Sequence, residues 1–124
     1  MLDEIVGPFW HSETVAAHLN LPAGELADDV AKDQIVWAPL ADGTSVFPEW
    51  QFVADPGVQD KLLTVWRELR KAADPWTAAV WMCSPARELD GQSVVSCLAD
   101  DPSDSNRSAV VTDLVAADTA RWRH

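Results

Sequence analysis

Glycine, cysteine and histidine are scarce in this chain, and bases are nearly missing from its first half. The five glycines among 124 residues are scattered, so no glycine-rich loop is available to cradle a phosphate. Cys83 and Cys97 are the only cysteines and belong to no CxxC or CxxH pairing, which removes the usual zinc and dithiol chemistries. Both are expected as small buried apolar residues. Three histidines, His11, His18 and His124, stand in no recognisable setting with a nucleophile or an activating acid. His11 and His18 fall seven apart, nominally on one helix face, but His11 precedes the expected helix cap, so both are read as surface residues. No catalytic residue, metal ligand or cofactor site is therefore expected, and the chain is read as non-enzymatic.

Long apolar runs are also absent. Nowhere do about 18 apolar residues follow one another, and Met1-Leu2-Asp3-Glu4 opens without the basic stretch of a secretory signal. A cytoplasmic protein with no membrane association is the expectation. What is abundant is apolar and aromatic mass: 48% of the residues are hydrophobic and seven are Trp. That is more than a disordered segment carries, because burial of such surface offsets chain entropy.

Net charge is −11, and its distribution is uneven. Residues 1–55 hold ten acids against one base, Lys32, whereas residues 56–124 hold ten acids against eight bases. A half with a net charge of −9 repels a phosphate backbone, and duplex binding draws much of its affinity from Lys and Arg. Nucleic-acid binding is therefore expected to be weak or lost, with any residual contact falling to Ser12 and Lys32. Adjacent acids such as Asp28 and Asp29, or Asp100 and Asp101, point about 100° apart on a helix and read as solvated faces.

Along the chain, Ser12 is expected to cap a short helix through Asn20, with Val15, Ala16 and Leu19 on one face. Asn20 suits a left-handed turn, and Pro22 suits the first turn of a second helix running to about Asp33, with Leu26 and Val30 inward. The pair makes a helix-turn-helix. Two β-prone runs, 35–40 and 45–52, flank Asp42-Gly43 and predict a hairpin beside those helices, braced by Trp37 and Trp50; Pro39 and Pro48 keep its strands short or edge-like. After the break at Asp55-Pro56-Gly57, the spacing of Val58, Leu62, Val65, Trp66 and Leu69 predicts a helix to about Ala73. Asp74-Pro75 caps the next helix, with Trp76, Ala79, Val80 and Cys83 as its apolar face and Ser84-Pro85 as its stop. Ser93 caps a brief helix to Leu98, a polar loop covers 100–106, and a last helix carries Val110, Val111, Leu114 and Val115 inward. The expected fold is mainly α: a helix-turn-helix region with a β-hairpin wing over residues 1–55 and a helical bundle over 56–124.

Trp66, Trp76 and Trp81 are read as core or partner surface. Trp122 stands between Arg121 and Arg123-His124, and Trp and Arg dominate interface energetics. Partner binding is accordingly assigned to Trp76, Trp81, Arg121, Trp122, Arg123 and His124.

The run Phe47-Pro48, Trp50-Gln51-Phe52, then an amphipathic helix, then Asp74-Pro75-Trp76 with Ala79 and Trp81, Ser84-Pro85 and Leu89-Asp90-Gly91 with Ser93 resembles the toxin-binding domain of the Xre/MbcA/ParS antitoxin family. The resemblance covers roughly residues 10–122. It implies an antitoxin that docks on a RES-type, NAD-consuming toxin and obstructs its active site with the C-terminal end, here Arg121, Trp122, Arg123 and His124. It also implies a homodimer that represses its own operator. In this chain the would-be reading helix shows Glu25, Asp28, Asp29 and Lys32 outward, the opposite sign from a recognition helix, and Val94 stands where the family commonly has Pro. Two other readings stay open: a DNA-binding regulator drawing on Arg67, Arg70 and Lys71, and an acidic adaptor or DNA-mimic decoy for a basic protein.

Overall fold

A computed structural model describes residues 6–22, 24–53, 56–100 and 105–122. The protein is mainly α with a small β wing. In order come β1 (Phe9–His11), α1 (Ser12–Leu19), α2 (Glu25–Ala31), β2 (Ala38–Pro39), β3 (Ser45–Pro48), α3 (Trp50–Val53), α4 (Pro56–Arg70), α5 (Pro75–Cys83), a 3₁₀ turn (Arg87–Leu89), α6 (Val94–Asp100) and α7 (Ser105–Trp122).

The wing is a three-stranded antiparallel sheet in the order β1-β3-β2. Ala38 pairs with Val46 across the expected hairpin. On the other side of β3, Trp10 pairs with Phe47 and His11 with Val46. Pro48 closes this central strand at its last position, where a missing N–H costs least. Strand β1 was not anticipated, because three residues are too few for an alternation signal. Its presence also corrects the start of α1. His11, extended at φ −87 and ψ 164, is the residue before the helix and makes no side-chain cap bond; Ser12 is the first helical residue, not the cap. The strand delivers the chain straight into the helix, so pairing fixes the entry. Residues 50–53 likewise form a helical turn where a strand was expected.

Asn20 takes the left-handed conformation, φ 55, and its N–H bonds back to Ala16 and Ala17, as its position implied. Pro22 is not in the second helix, which starts at Glu25 after Gly24. Gly24 has φ 92, a conformation that glycine adopts without penalty, and helical geometry begins only at Glu25, three positions after Pro22. That helix ends at Ala31, short of Asp33, which is itself left-handed at φ 52.

The second half follows the sequence reading more closely. Asp74 precedes α5 and accepts the Thr77 N–H at 3.3 Å and the Thr77 hydroxyl. These two bonds hold its carboxyl below the usual carboxylate range. A depressed folded pKa gives stability that is present at neutral pH and lost as pH falls through the folded value. Asp74→Ala should cost about 1 kcal/mol at pH 7, typical of a cap, and the gap from wild type should close in acid; urea melts of both proteins across that pH range check it. Ser93 Oγ accepts the Ser96 N–H at 3.1 Å, capping α6.

The main core surrounds α4. Leu62, Trp66 and Leu69 are fully buried against Ala78 and Met82 of α5, Leu98 of α6, and Val111 and Val115 of α7. Val6 and Val36 from the first half join the same cluster, while Val15, Leu26, Ile35, Phe47 and Phe52 form a smaller one, and Trp37 packs against both. Val110, expected inward, is 38% exposed. One residue before Val111 on a helix, it is turned about 100° away from the face that α4 covers. Among the described residues, no helix is long and apolar enough to cross a membrane.

Candidate functional site

Helix α7 shows two apolar faces. Val111, Val115 and Thr119, four residues apart, are buried, and Thr119 returns its hydroxyl to the Val115 carbonyl at 2.8 Å. Val110, Leu114, Ala117 and Arg121 recur at offsets of four, three and four and line a groove of about 600 Å³ beside Glu88 of the 3₁₀ turn. Through Glu88, Leu114 and Asp118 this groove continues into a smaller hollow of about 300 Å³ at Trp81, Pro85 and Val94. It is therefore an apolar trough with charged sides, running to the C-terminal end of α7.

Asp118 organises that end. One carboxylate oxygen accepts the Trp81 indole N–H at 2.5 Å, and the other pairs with Arg121 one turn further on. Its side chain is 15% exposed while that of Arg121 is 73% exposed, so the acid is held inside and the guanidinium lies over it. The result ties α5 to the last turn of α7. Trp122 is half-buried and packs against the main core.

Trp76 is placed elsewhere. Five residues before Trp81 on α5, it faces the sheet, donates its indole N–H to the Pro39 carbonyl at 2.7 Å and meets Phe9 edge-on at 5.8 Å. The structure thus brings Trp81, Arg121 and Trp122 to one end of the molecule and leaves Trp76 bracing α5 against the wing. Arg123 and His124 lie outside the described residues. Asp118 escaped the sequence reading because a single acid on a helix carries no signal of a partner 37 residues away.

A second polar cluster joins the two halves. Asp33 accepts the Trp37 indole N–H at 3.0 Å and the Arg70 Nε–H at 3.0 Å, while its carbonyl accepts Arg67 Nε–H at 3.4 Å. Arg70 also donates to the Ala73 carbonyl at 2.6 Å and lies 5.6 Å from the Trp37 ring centre. Lys71 pairs with Glu68 at 2.9 Å. Arg67, Arg70 and Lys71 are thus engaged with acids and carbonyls of the chain itself.

Ser12 and Lys32 are both exposed and on separate elements, Ser12 opening α1 and Lys32 just past α2. His11 and His18 are exposed, and His18 meets Trp10 edge-on at 5.0 Å. Of the cysteines, Cys97 is buried as expected, whereas Cys83 is only half-buried. Residue 83 ends α5, where neighbouring elements cover less of the helix. Burial still pushes its thiol up to about 11, which leaves little thiolate for nucleophilic chemistry. Among the described residues, no group of three or more His, Cys, Asp or Glu is placed to hold a metal ion.

Comparison of the chain with protein-family models, with curated proteins and with solved structures finds no match.

Proposed function

We propose that the chain is an antitoxin-like inhibitor, which binds a partner enzyme of the RES type and obstructs its active site with the C-terminal end of the last helix. The observation that supports this reading is the second face of α7: Val110 and Ala117 lie open to solvent in line with the half-buried Leu114 and the exposed Arg121. Helical apolar rows of this kind seat on partner grooves or receive partner helices. Arg121 and Trp122, an exposed cation beside a half-buried aromatic, supply the residue types that dominate interface energetics.

Operator binding is the weaker reading of the same chain. Arg67, Arg70 and Lys71 are engaged within the protein, and α2 carries Glu25, Asp28 and Asp29 without a base. A homodimer and a cytoplasmic location remain part of the proposal.

Removal of residues 120–124 tests it. The truncated protein loses Trp122 from the edge of the main core but keeps α4, α5, α6 and the buried Val111, Val115 and Thr119 of α7, so it should keep most of its helical circular dichroism, yet should fail to prevent NAD loss by a RES-type enzyme co-expressed with it. Arg121→Ala, which changes an exposed side chain and spares the packing of Trp122, should weaken protection in the same direction. Full protection by the truncated protein would dismiss the tail mechanism.

A further inference from the structure

A second groove lies in the first half, independent of the α7 face. It is framed by three elements: Ala16 on α1, Leu26, Ala27 and Val30 on α2, and Phe47 on β3. Its volume is about 480 Å³, within the range that seats two or three apolar side chains. Small Ala16 and Ala27 leave the trough open, and Phe47 and Leu26 give it an apolar floor.

Acids stand on α1, on α2 and in the turn that leads into β3, and none of these three elements carries Lys or Arg. Glu13 on α1 lines the groove directly. Glu25 opens α2 beside the lining residues Gly24 and Leu26. Asp42, in the hairpin turn, is bonded to Thr44 of the lining at 2.6 Å and 3.0 Å. The Thr44 hydroxyl and N–H hold the Asp42 carboxyl below the usual range, so it is ionised at neutral pH. Asp28 and Asp29 extend the negative surface around α2, and none of Glu13, Glu25, Asp28 and Asp29 forms an ion pair among the described residues. The nearest base in the sequence, Lys32, comes after α2 has ended.

From this complementarity we infer that the groove between α1, α2 and the hairpin receives a cationic amphipathic segment of a partner protein, its apolar side chains in the trough and its Lys or Arg on the three acidic walls. Charge of this sign draws a basic segment in and turns a phosphate backbone away. The apolar floor then selects among cations, since a purely ionic contact at an exposed rim contributes little.

The test uses the full-length ¹⁵N-labelled protein and three synthetic peptides of one helical pattern, Lys/Leu, Glu/Leu and Lys/Ser. The Lys/Leu peptide is expected to shift the amides of Ala16, Ala27, Thr44 and Phe47, and to weaken with added salt. The other two should leave those amides in place. Ala27→Arg, at an exposed position on the wall, should weaken Lys/Leu binding at least about tenfold with unchanged circular dichroism; Glu13→Lys gives the same reading from the opposite wall. Four outcomes overturn the inference: shifts that map to the α7 face, equal binding of Lys/Ser, groove shifts that grow with protein concentration alone, or groove shifts caused by duplex DNA. Because no toxin enters this experiment, its failure leaves the α7 reading untouched.

Discussion

Trp66→Ala is expected to remove a large part of the folding free energy. Trp66 is fully buried and is the largest such side chain, at the middle of α4 where α5, α6 and α7 converge. Truncating a buried Trp to Ala costs about 3–5 kcal/mol, because lost transfer energy and the residual cavity add. Domains of this size hold only about 5–15 kcal/mol in total. The urea midpoint should therefore fall steeply, with the slope of the transition unchanged. Trp66→Phe separates volume from polarity: the Trp66 Nε1 atom has no hydrogen-bond partner among the described residues, so the smaller ring discards a stranded donor along with its bulk. It should cost well under half of the Ala variant. A loss below about 1.5 kcal/mol for Trp66→Ala would place the centre of the core elsewhere.

Gln51→Leu should be nearly as damaging, for the opposite reason. This buried amide stands in for a missing strand: its Oε1 accepts the Val36 N–H at 2.9 Å, and its Nε2 donates to the carbonyls of Val36 at 2.7 Å and Pro48 at 3.2 Å. An apolar side chain of similar size strands those buried groups at about 1–3 kcal/mol each. Gln51→Glu should be worse at neutral pH, since a carboxylate would face two carbonyl oxygens and donate nothing. Its folded pKa must then lie above its unfolded value, so that variant gains stability relative to wild type as pH falls through the folded pKa, the reverse of Asp74. Paired denaturation curves at two pH values check both signs.

How much of this was legible beforehand depends on the range of the interaction. Asn20, Asp74-Pro75 and Ser93 were readable because a turn or a cap is decided within four residues, and α4 because its apolar spacing repeats for four turns. The wing was half legible. Asp42-Gly43 announced β2 and β3, but β1 exists only because Val46 and Phe47 offer it a second edge. Gln51 and Asp118 were invisible as structural residues. Each is a single polar side chain with a tertiary partner 15 or 37 residues away, and nothing local announces that distant partner. Of the candidate site, the sequence pointed to Trp81, Arg121 and Trp122 by residue type; that Trp81 and Arg121 share one acid, while Trp76 is occupied with Pro39, is a property of packing.

The Asp33 cluster carries one more consequence. Its bonds to Arg67 and Arg70 cross 34 and 37 residues of chain, and they grip the second residue after the end of α2. The attitude of α2 is thus inherited from the long helix beneath it, and the tight turn at Asn20 only supplies enough chain to get there. With α1 fixed to the wing through β1 and α2 held through Asp33, a lengthened turn between them should leave both in place, so the two walls of the acidic groove answer to different parts of the molecule: one to the wing, the other to the helical core.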